Sequence, residues 1–304
     1  MTHFIGIEGG GTKFVCVHGS SPENLQDRTV IKTQSPDATM KDVIAYIHAV
    51  QAKTTVDAIG LAIFGPLDLE RASATYGYVT TAAKPGWAQY NVIGTLKQAF
   101  DLPIGFDTDV NGSAIGEYRW GAGQGLDDFL YLTIGTGIGG GAMINGALVH
   151  GASHPEMGHI LIPQDTSRDS FEGVCPYHKS CLESLASGPS MKARWKVNSA
   201  LDLPEHHEAW NLEAHYLAVG LTNYILTFSP KRIIMGGGVM RQTHLLPKIR
   251  AEIVKCLNNY IKDDKVMRHL DTYIVTPGLG EDSGICGAIA LAEKALAEEK
   301  HLAK

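Results

Sequence analysis

Apolar positions along the chain switch repeatedly between short continuous runs and a spacing of three and four, so strands and helices alternate. The first half opens with strand-like runs at 3–8, 13–18 and about 27–33. After Ser35-Pro36-Asp37, a start signal, Met40, Val43, Ile44, Ile47 and Val50 recur at helical spacing and predict a helix over about 38–51. A strand over 56–63, a helix over 91–100, a strand over 102–106 and a helix over 109–120 follow. That last helix starts at a strand's carboxyl end. The second half reopens with strands at 128–134 and 138–145, then becomes irregular from 153 to 187. Helices resume at about 189–197 and 209–228, the latter with Leu212, Tyr216, Val219, Leu221, Tyr224 and Ile225 as a broad apolar face. A strand at 231–235, a helix at about 244–259, a strand at 272–276 and a final helix at about 284–298 complete an α/β pattern.

The two halves begin alike. Ile5-Gly6-Ile7-Glu8-Gly9-Gly10-Gly11-Thr12-Lys13 and Leu132-Thr133-Ile134-Gly135-Thr136-Gly137-Ile138-Gly139-Gly140-Gly141 each run from an apolar strand through a glycine turn into another strand. Glycine permits positive φ and close approach of backbone to a ligand, so successive N–H groups can converge on an anion. Neither turn leads into a helix as a GxxxxGK[ST] phosphate loop does, which disfavours a P-loop NTPase. A third run, Gly236-Gly237-Gly238, ends the strand Lys231-Arg232-Ile233-Ile234-Met235. Two related half-folds facing one phosphate chain are expected. The first is expected over 1–118 and the second over 119–289. The final helix has Gly284, Gly287, Ala288, Ala290 and Ala292 for close packing, and its end, about 290–304, is expected to return to the first domain.

Composition narrows the classes. An apolar fraction of 44% and a charged fraction of 19% over 304 residues fit a globular chain with room for two domains. A net charge of −6 with no basic stripe argues against nucleic acid. No signal peptide or membrane-spanning stretch is visible, so the cytoplasm is the expected location and no membrane partner is expected. Five scattered cysteines do not make a disulfide framework, and Cys175 and Cys181 alone lie close enough to act together.

Two constellations carry chemistry. Phe106-Asp107-Thr108-Asp109-Val110-Asn111 spans a strand-to-helix junction, where a carboxylate near a helix N-terminus can take a proton from a hydroxyl. An N-cap accounts for one of Asp107, Thr108 and Asp109 but not for two carboxylates and an asparagine together. Asp109 is the candidate base for phosphoryl transfer, with Asn111 a candidate substrate contact. Cys175-Pro176-Tyr177-His178-Lys179-Ser180-Cys181 places thiolate, imidazole and thiolate at metal-ligand spacing. The upstream His154-Pro155-Glu156-Met157-Gly158-His159 offers a fourth ligand, His159 or else His154. Four protein ligands predict a structural zinc. Glu156 and Glu183 flank this knuckle in sequence and are suited to accept hydrogen bonds from sugar hydroxyls.

Taken together, these residues resemble the ROK sugar kinases, and within them the bacterial fructokinase type. The resemblance covers nearly the whole chain. It rests on Glu8-Gly9-Gly10-Gly11-Thr12-Lys13, Asp107-Thr108-Asp109-Val110-Asn111 with Gly116-Glu117, Gly135-Thr136-Gly137-Ile138-Gly139-Gly140-Gly141, Glu156-Met157-Gly158-His159 and Gly236-Gly237-Gly238-Val239-Met240. It implies an actin-like, ribonuclease-H-like pair of domains, with sugar and magnesium nucleotide meeting in the cleft between them; closure on sugar binding is expected because an open cleft would invite water as acceptor. It implies Asp109 as base and Glu156, His159 and Glu183 on the sugar, His159 from its zinc site. Gly10, Gly11, Thr12 and Lys13, Thr136 and Gly137, Pro189, and Gly236, Gly237, Gly238, Val239 and Met240 would lie along ATP. Glu8 stands where many relatives have aspartate. The C-x2-H-x2-C loop, Phe64-Gly65-Pro66-Leu67-Asp68 and Ala83-Lys84-Pro85-Gly86-Trp87 look like the fructokinase type rather than the glucokinase type. The implied reaction is ATP-dependent phosphorylation of fructose to fructose 6-phosphate by a homodimer. The alternatives are a hexokinase acting on mannose or glucose, and a sugar-sensing regulator. The early first glycine turn leaves no room for an N-terminal helix-turn-helix, against the regulator.

Overall fold

The computed structural model describes residues 2–81, 84–262, 266 and 269–302; Ala83 of the A-K-P-G-W run lies outside them. The first sheet contains β1 (Phe4–Gly9), β2 (Lys13–Gly19), β3 (Gln26–Lys32), β4 (Ala58–Ile63) and β7 (Ile104–Thr108), in the order β3-β2-β1-β4-β7. Helix α1 (Pro36–Gln51) follows β3, a small hairpin pairs β5 (Tyr78–Val79) with β6 (Tyr90–Asn91), α2 (Val92–Ala99) precedes β7, and α3 (Asp109–Trp120) follows it.

The second sheet repeats the plan with β8 (Phe129–Ile134), β9 (Ile138–Ile144), β10 (Ala147–Leu148), β11 (Arg232–Gly236) and β12 (Ile274–Val275), in the order β10-β9-β8-β11-β12. In each sheet the opening strand is antiparallel to the second and parallel to the fourth, and the fourth is parallel to the last. Around this sheet lie α4 (Leu182–Ala186), α5 (Gly188–Trp195), α6 (Ala209–Phe228), α7 (Leu245–Leu257) and α8 (Leu270–Tyr273), and α9 (Ser283–Leu302) ends the described chain.

The chain divides into two compact units: Met1–Gly125 with Leu148–Pro155 and Gly278–Lys304, and Leu126–Ala147 with Glu156–Pro277. The first unit therefore takes more than the expected 1–118 and a returning helix from about 290. Glu117 supplies the reason. Fully buried, its carboxylate accepts from Ala122 N at 2.6 Å, Gly278 N at 2.9 Å, Leu279 N at 3.0 Å and Ser283 Oγ at 2.7 Å. One side chain thus ties the turn after α3 to the segment leading into α9.

The first unit's apolar core is built on one face of its sheet by Ile5, Ile7, Phe14, Ile59, Leu61 and Ile63 against Met40, Val43, Ile47 and Val50 of α1. Pro36 is tolerated at the first position of α1 because no intrahelical partner exists there for an N–H. Each large aliphatic side chain so buried contributes roughly 1.5–3 kcal/mol. On the other face, Gly6, Gly60 and Gly105 stand in register across β1, β4 and β7. A Cβ on Gly60 would lie 1.7 Å from Ala288 O, and one on Gly105 would lie 2.1 Å from Leu291 O. This glycine row lets α9 lie directly on the sheet.

The local differences from the sequence reading are small. The strand expected at 102–106 runs Ile104–Thr108, so Asp107 and Thr108 belong to it. The strand expected at 272–276 shrinks to Ile274–Val275 behind a helical turn. Within the segment read as irregular, Met157–His159 forms a 3-10 turn and Leu182–Ala186 a short helix.

Candidate functional site

In the first unit, β7 delivers Asp107 and Thr108 to the start of α3. Thr108 is the N-cap, its side chain accepting from Asn111 N at 3.2 Å. Asp109 is the first helical residue, half-buried, with Oδ1 accepting from Val110 N at 2.9 Å. A carboxylate here is favoured as an anion by the unsatisfied N–H groups of the first turn. Glu8, at the end of β1, lies within electrostatic reach. Burial, then the charge of Asp109, push its carboxyl up to about 7, with Lys13 and Arg28 opposing. A carboxyl so disfavoured as an anion is one that a divalent cation would return to the ionised form.

Asn111, the candidate substrate contact, is 1% exposed; its amide nitrogen donates to Asp107 Oδ1 at 2.7 Å, and its Oδ1 is buried without a hydrogen-bond partner among the described residues. The glycine turn of this unit closes through Gly10 N to Lys13 O at 2.9 Å, and Thr33 braces it by donating to Gly10 O and Thr12 O. Gly11, Thr12 and Lys13 are exposed.

In the second unit, His159, Cys175, His178 and Cys181 converge, with one ligand atom of each within 4.8 Å of all the others. His159 Nδ1 lies 3.6 Å from Cys181 Sγ and 3.9 Å from Cys175 Sγ, and His178 Nδ1 lies 3.9 Å from Cys175 Sγ. Zinc bonds of about 2.3 Å to sulfur and about 2.0–2.1 Å to nitrogen put the N–S edges of a tetrahedron near 3.5 Å, so the donor set fits that ion. Both sulfurs also accept backbone N–H bonds at 3.4 Å, Cys175 from His178 and Cys181 from Ser184. Burial pushes the Cys181 thiol up to about 11; a bound cation acts in the opposite sense. Ser184 Oγ knits the knuckle, accepting from Val174 N and Cys175 N and donating to Lys179 O.

His154, the other candidate for the fourth ligand, is not in this group. It is buried in the first unit, where its Nε2 accepts from Leu67 N at 3.0 Å. Glu183 stands behind the cluster: Oε2 accepts from Ile138 N at 2.8 Å, and Oε1 faces His159 Nε2 at 3.9 Å. A Cβ on Gly137 would lie 2.6 Å from Glu183 Oε2, so the glycine of this turn makes room for the carboxylate. Glu156 is exposed at the start of the 3-10 turn that carries His159.

The remaining expected ligand contacts gather in the same unit. The β8–β9 turn closes through Gly135 N to Gly137 O, and Gly188 N at the start of α5 donates to Gly135 O at 2.8 Å, bringing Pro189 beside exposed Thr136. Gly10, Gly11, Gly135 and Gly137 all avoid positive φ, so of the two properties expected of glycine there, the left-handed conformation is not used. Gly237 does need it, with φ of 92°, and a Cβ there would lie 2.4 Å from Ile134 O. Val239 and Met240 have buried side chains, which leaves the exposed backbone at Gly238 as what this turn presents.

His150 escaped the sequence reading. Its Nε2 lies 2.9 Å from Asp107 Oδ2, although 43 residues separate the two in the chain. No local spacing signals such a pair.

Two sheets of identical plan, each opening on a glycine hairpin, define the actin-like, ribonuclease-H-like ATPase fold. The chain belongs to the ROK family, whose profile matches residues 4–295. It is 45% identical to a Bacillus subtilis protein provisionally named a fructokinase, over 97% of this chain and 96% of that one. It is 39% identical to a fructokinase of Pediococcus pentosaceus, covering 95% of this chain and 97% of the relative. Among solved structures, the ROK hexokinase of Thermus thermophilus superposes with a TM-score of 0.78 at 23% identity, covering 98% of this chain and all of that one. No described helix is long and apolar enough to cross a membrane.

Proposed function

We propose that the protein is a fructokinase that transfers the γ-phosphoryl group of ATP to the 6-hydroxyl of D-fructose. Similarity to fructokinases over nearly the whole chain carries the choice of sugar. The placement of Asp109 supports the chemistry. Its carboxylate takes the hydroxyl proton as the sugar oxygen bonds to the γ-phosphorus and the bond to the leaving ADP oxygen breaks. Little else is asked of the protein than to orient the two reactants. Glu156, His159 and Glu183 are assigned to the sugar, and so is Asn111, its amide nitrogen held by Asp107 Oδ1. Lys13 with Gly10, Gly11 and Thr12, and Thr136, Gly137, Pro189 and Gly236, Gly237 and Gly238 are assigned to the nucleotide, with Val239 and Met240 supporting the last turn. Magnesium bound with ATP would neutralise phosphate charge, and Glu8 is assigned as the group of this chain that would respond to it.

The Cys175, His178, Cys181 and His159 group is assigned a structural zinc, which fixes the orientation of His159 while Glu183 backs it. The protein is assigned to the cytoplasm as a homodimer; exposed Leu161 and Tyr177 beside the metal knuckle are suited to a partner copy. Replacing Asp109 by Asn tests the base: a folded variant that still binds fructose should lose at least about a hundredfold in kcat. Wild-type turnover in that variant would place the base elsewhere.

A further inference from the structure

The Asp107 carboxylate is 4% exposed, and all its hydrogen bonds serve the start of α3 or a single histidine. Oδ1 accepts from Thr108 N at 2.8 Å and from Asn111 Nδ2 at 2.7 Å, so Asp107 grips the residue before Asp109 and the residue two after it. Oδ2 faces His150 Nε2 at 2.9 Å, its one hydrogen-bond partner among the described residues. A carboxylate buried to this degree needs hydrogen-bond partners on both oxygens. His150 supplies the partner for the second oxygen: its side chain is 39% exposed, and the hydrogen bond to Asp107 raises its pKa, opposed by partial burial and by Lys294. The other charged or titratable groups lining the cavity of about 910 Å³ onto which His150 opens are Arg71, Tyr76, Glu298 and His301. Arg71 is already engaged by Glu298 at 2.6 Å, which leaves Asp107 as the carboxylate that His150 holds.

We propose that His150 is a positioning residue for phosphoryl transfer, holding the buried Asp107 carboxylate so that Thr108 and Asn111 present Asp109 in a fixed orientation. The inference rests on Asp109 being the base. Without His150, Oδ2 loses its partner and the carboxylate is free to turn toward the cavity. The grip on Asn111 and on the first turn then loosens. His150 touches neither reactant, so its loss should slow the chemical step and spare sugar binding.

The test compares kcat, fructose KM and fructose Kd for wild type, His150→Ala, His150→Gln and Asp107→Asn, with Asp109→Asn as reference. A displaced reacting group can cost up to about a hundredfold. His150→Ala is expected to lower kcat by about 10- to 100-fold with KM and Kd within about threefold of wild type. His150→Gln keeps an N–H donor toward Oδ2 and should recover most of that loss. Wild-type kcat in a folded His150→Ala, a Gln variant as slow as Ala, or a loss carried by KM and Kd would each overturn the proposal. Should His150→Ala fail to fold, Asp107→Asn decides: it is expected to lose at least about tenfold in kcat at unchanged Kd, and wild-type kcat overturns the role. Turnover surviving in Asp109→Asn would instead remove the base assignment, a separate failure.

Discussion

Glu8 is the residue at which the electrostatics of the first unit are most exposed to measurement. Its carboxyl is raised from 4.5 to about 7 by burial and by Asp109. An acid raised in this way binds more protons folded than unfolded, so stability falls as pH rises from about 4.5 to about 7, and the penalty stands in full above that. Glu8→Gln should therefore match wild type in urea denaturation near pH 4 and exceed it by roughly 1–3 kcal/mol near pH 8 without magnesium. Equal stability of the two at pH 8 would contradict the account. Cys175 offers a second test at this scale: the protein should carry about one zinc per chain, and Cys175→Ser should lose it together with several kcal/mol of stability. Zinc retained in that variant would remove Cys175 from the ligand set. These residues were legible in the sequence because thiolates and imidazoles at fixed spacing, and carboxylates at a strand-to-helix junction, announce their chemistry locally. His150 did not, because its meaning lies in a partner that only the fold supplies.

At the scale of elements, the glycine row on β1, β4 and β7 decides how closely α9 can approach its sheet. Gly60→Ala would drive a Cβ into Ala288 O and should cost roughly 3 kcal/mol or more, read as a lower denaturation midpoint at unchanged slope. An unchanged midpoint would mean that α9 can retreat freely. Glu117 makes the complementary case. Its replacement by Ala removes the buried acceptor shared by three backbone N–H groups and a hydroxyl and should cost roughly 3–5 kcal/mol in the same measurement. The helix α3 was legible to the residue because Thr108 caps its start at the strand-to-helix junction, and α6 because its apolar face is broad and long. The strand expected at 272–276 was not. Its first residues close a helical turn through Tyr273 N to His269 O, a bond that a run of β-branched and aromatic residues does not advertise.

For the whole molecule, the repeated hairpin foretold the repeated sheet: β1-β2 and β8-β9 occupy equivalent places in two sheets of one plan. The limits of the two units were less legible, since the contacts that define them join residues more than a hundred apart, as Glu117 joins Gly278 and Ser283. Of the two uses of glycine expected in these hairpins, positive φ and the absence of a Cβ, the second hairpin relies on the latter, at Gly137 beside Glu183. The sugar-kinase reading draws on both units, with the base on one and the metal knuckle on the other. It is tested most directly by following phosphate transfer from ATP with magnesium to fructose, mannose and glucose and identifying the product. The account predicts fructose 6-phosphate, formed with the highest kcat/KM of the three sugars. Phosphorylation of mannose or glucose in preference to fructose, or no transfer to any of them, would contradict it.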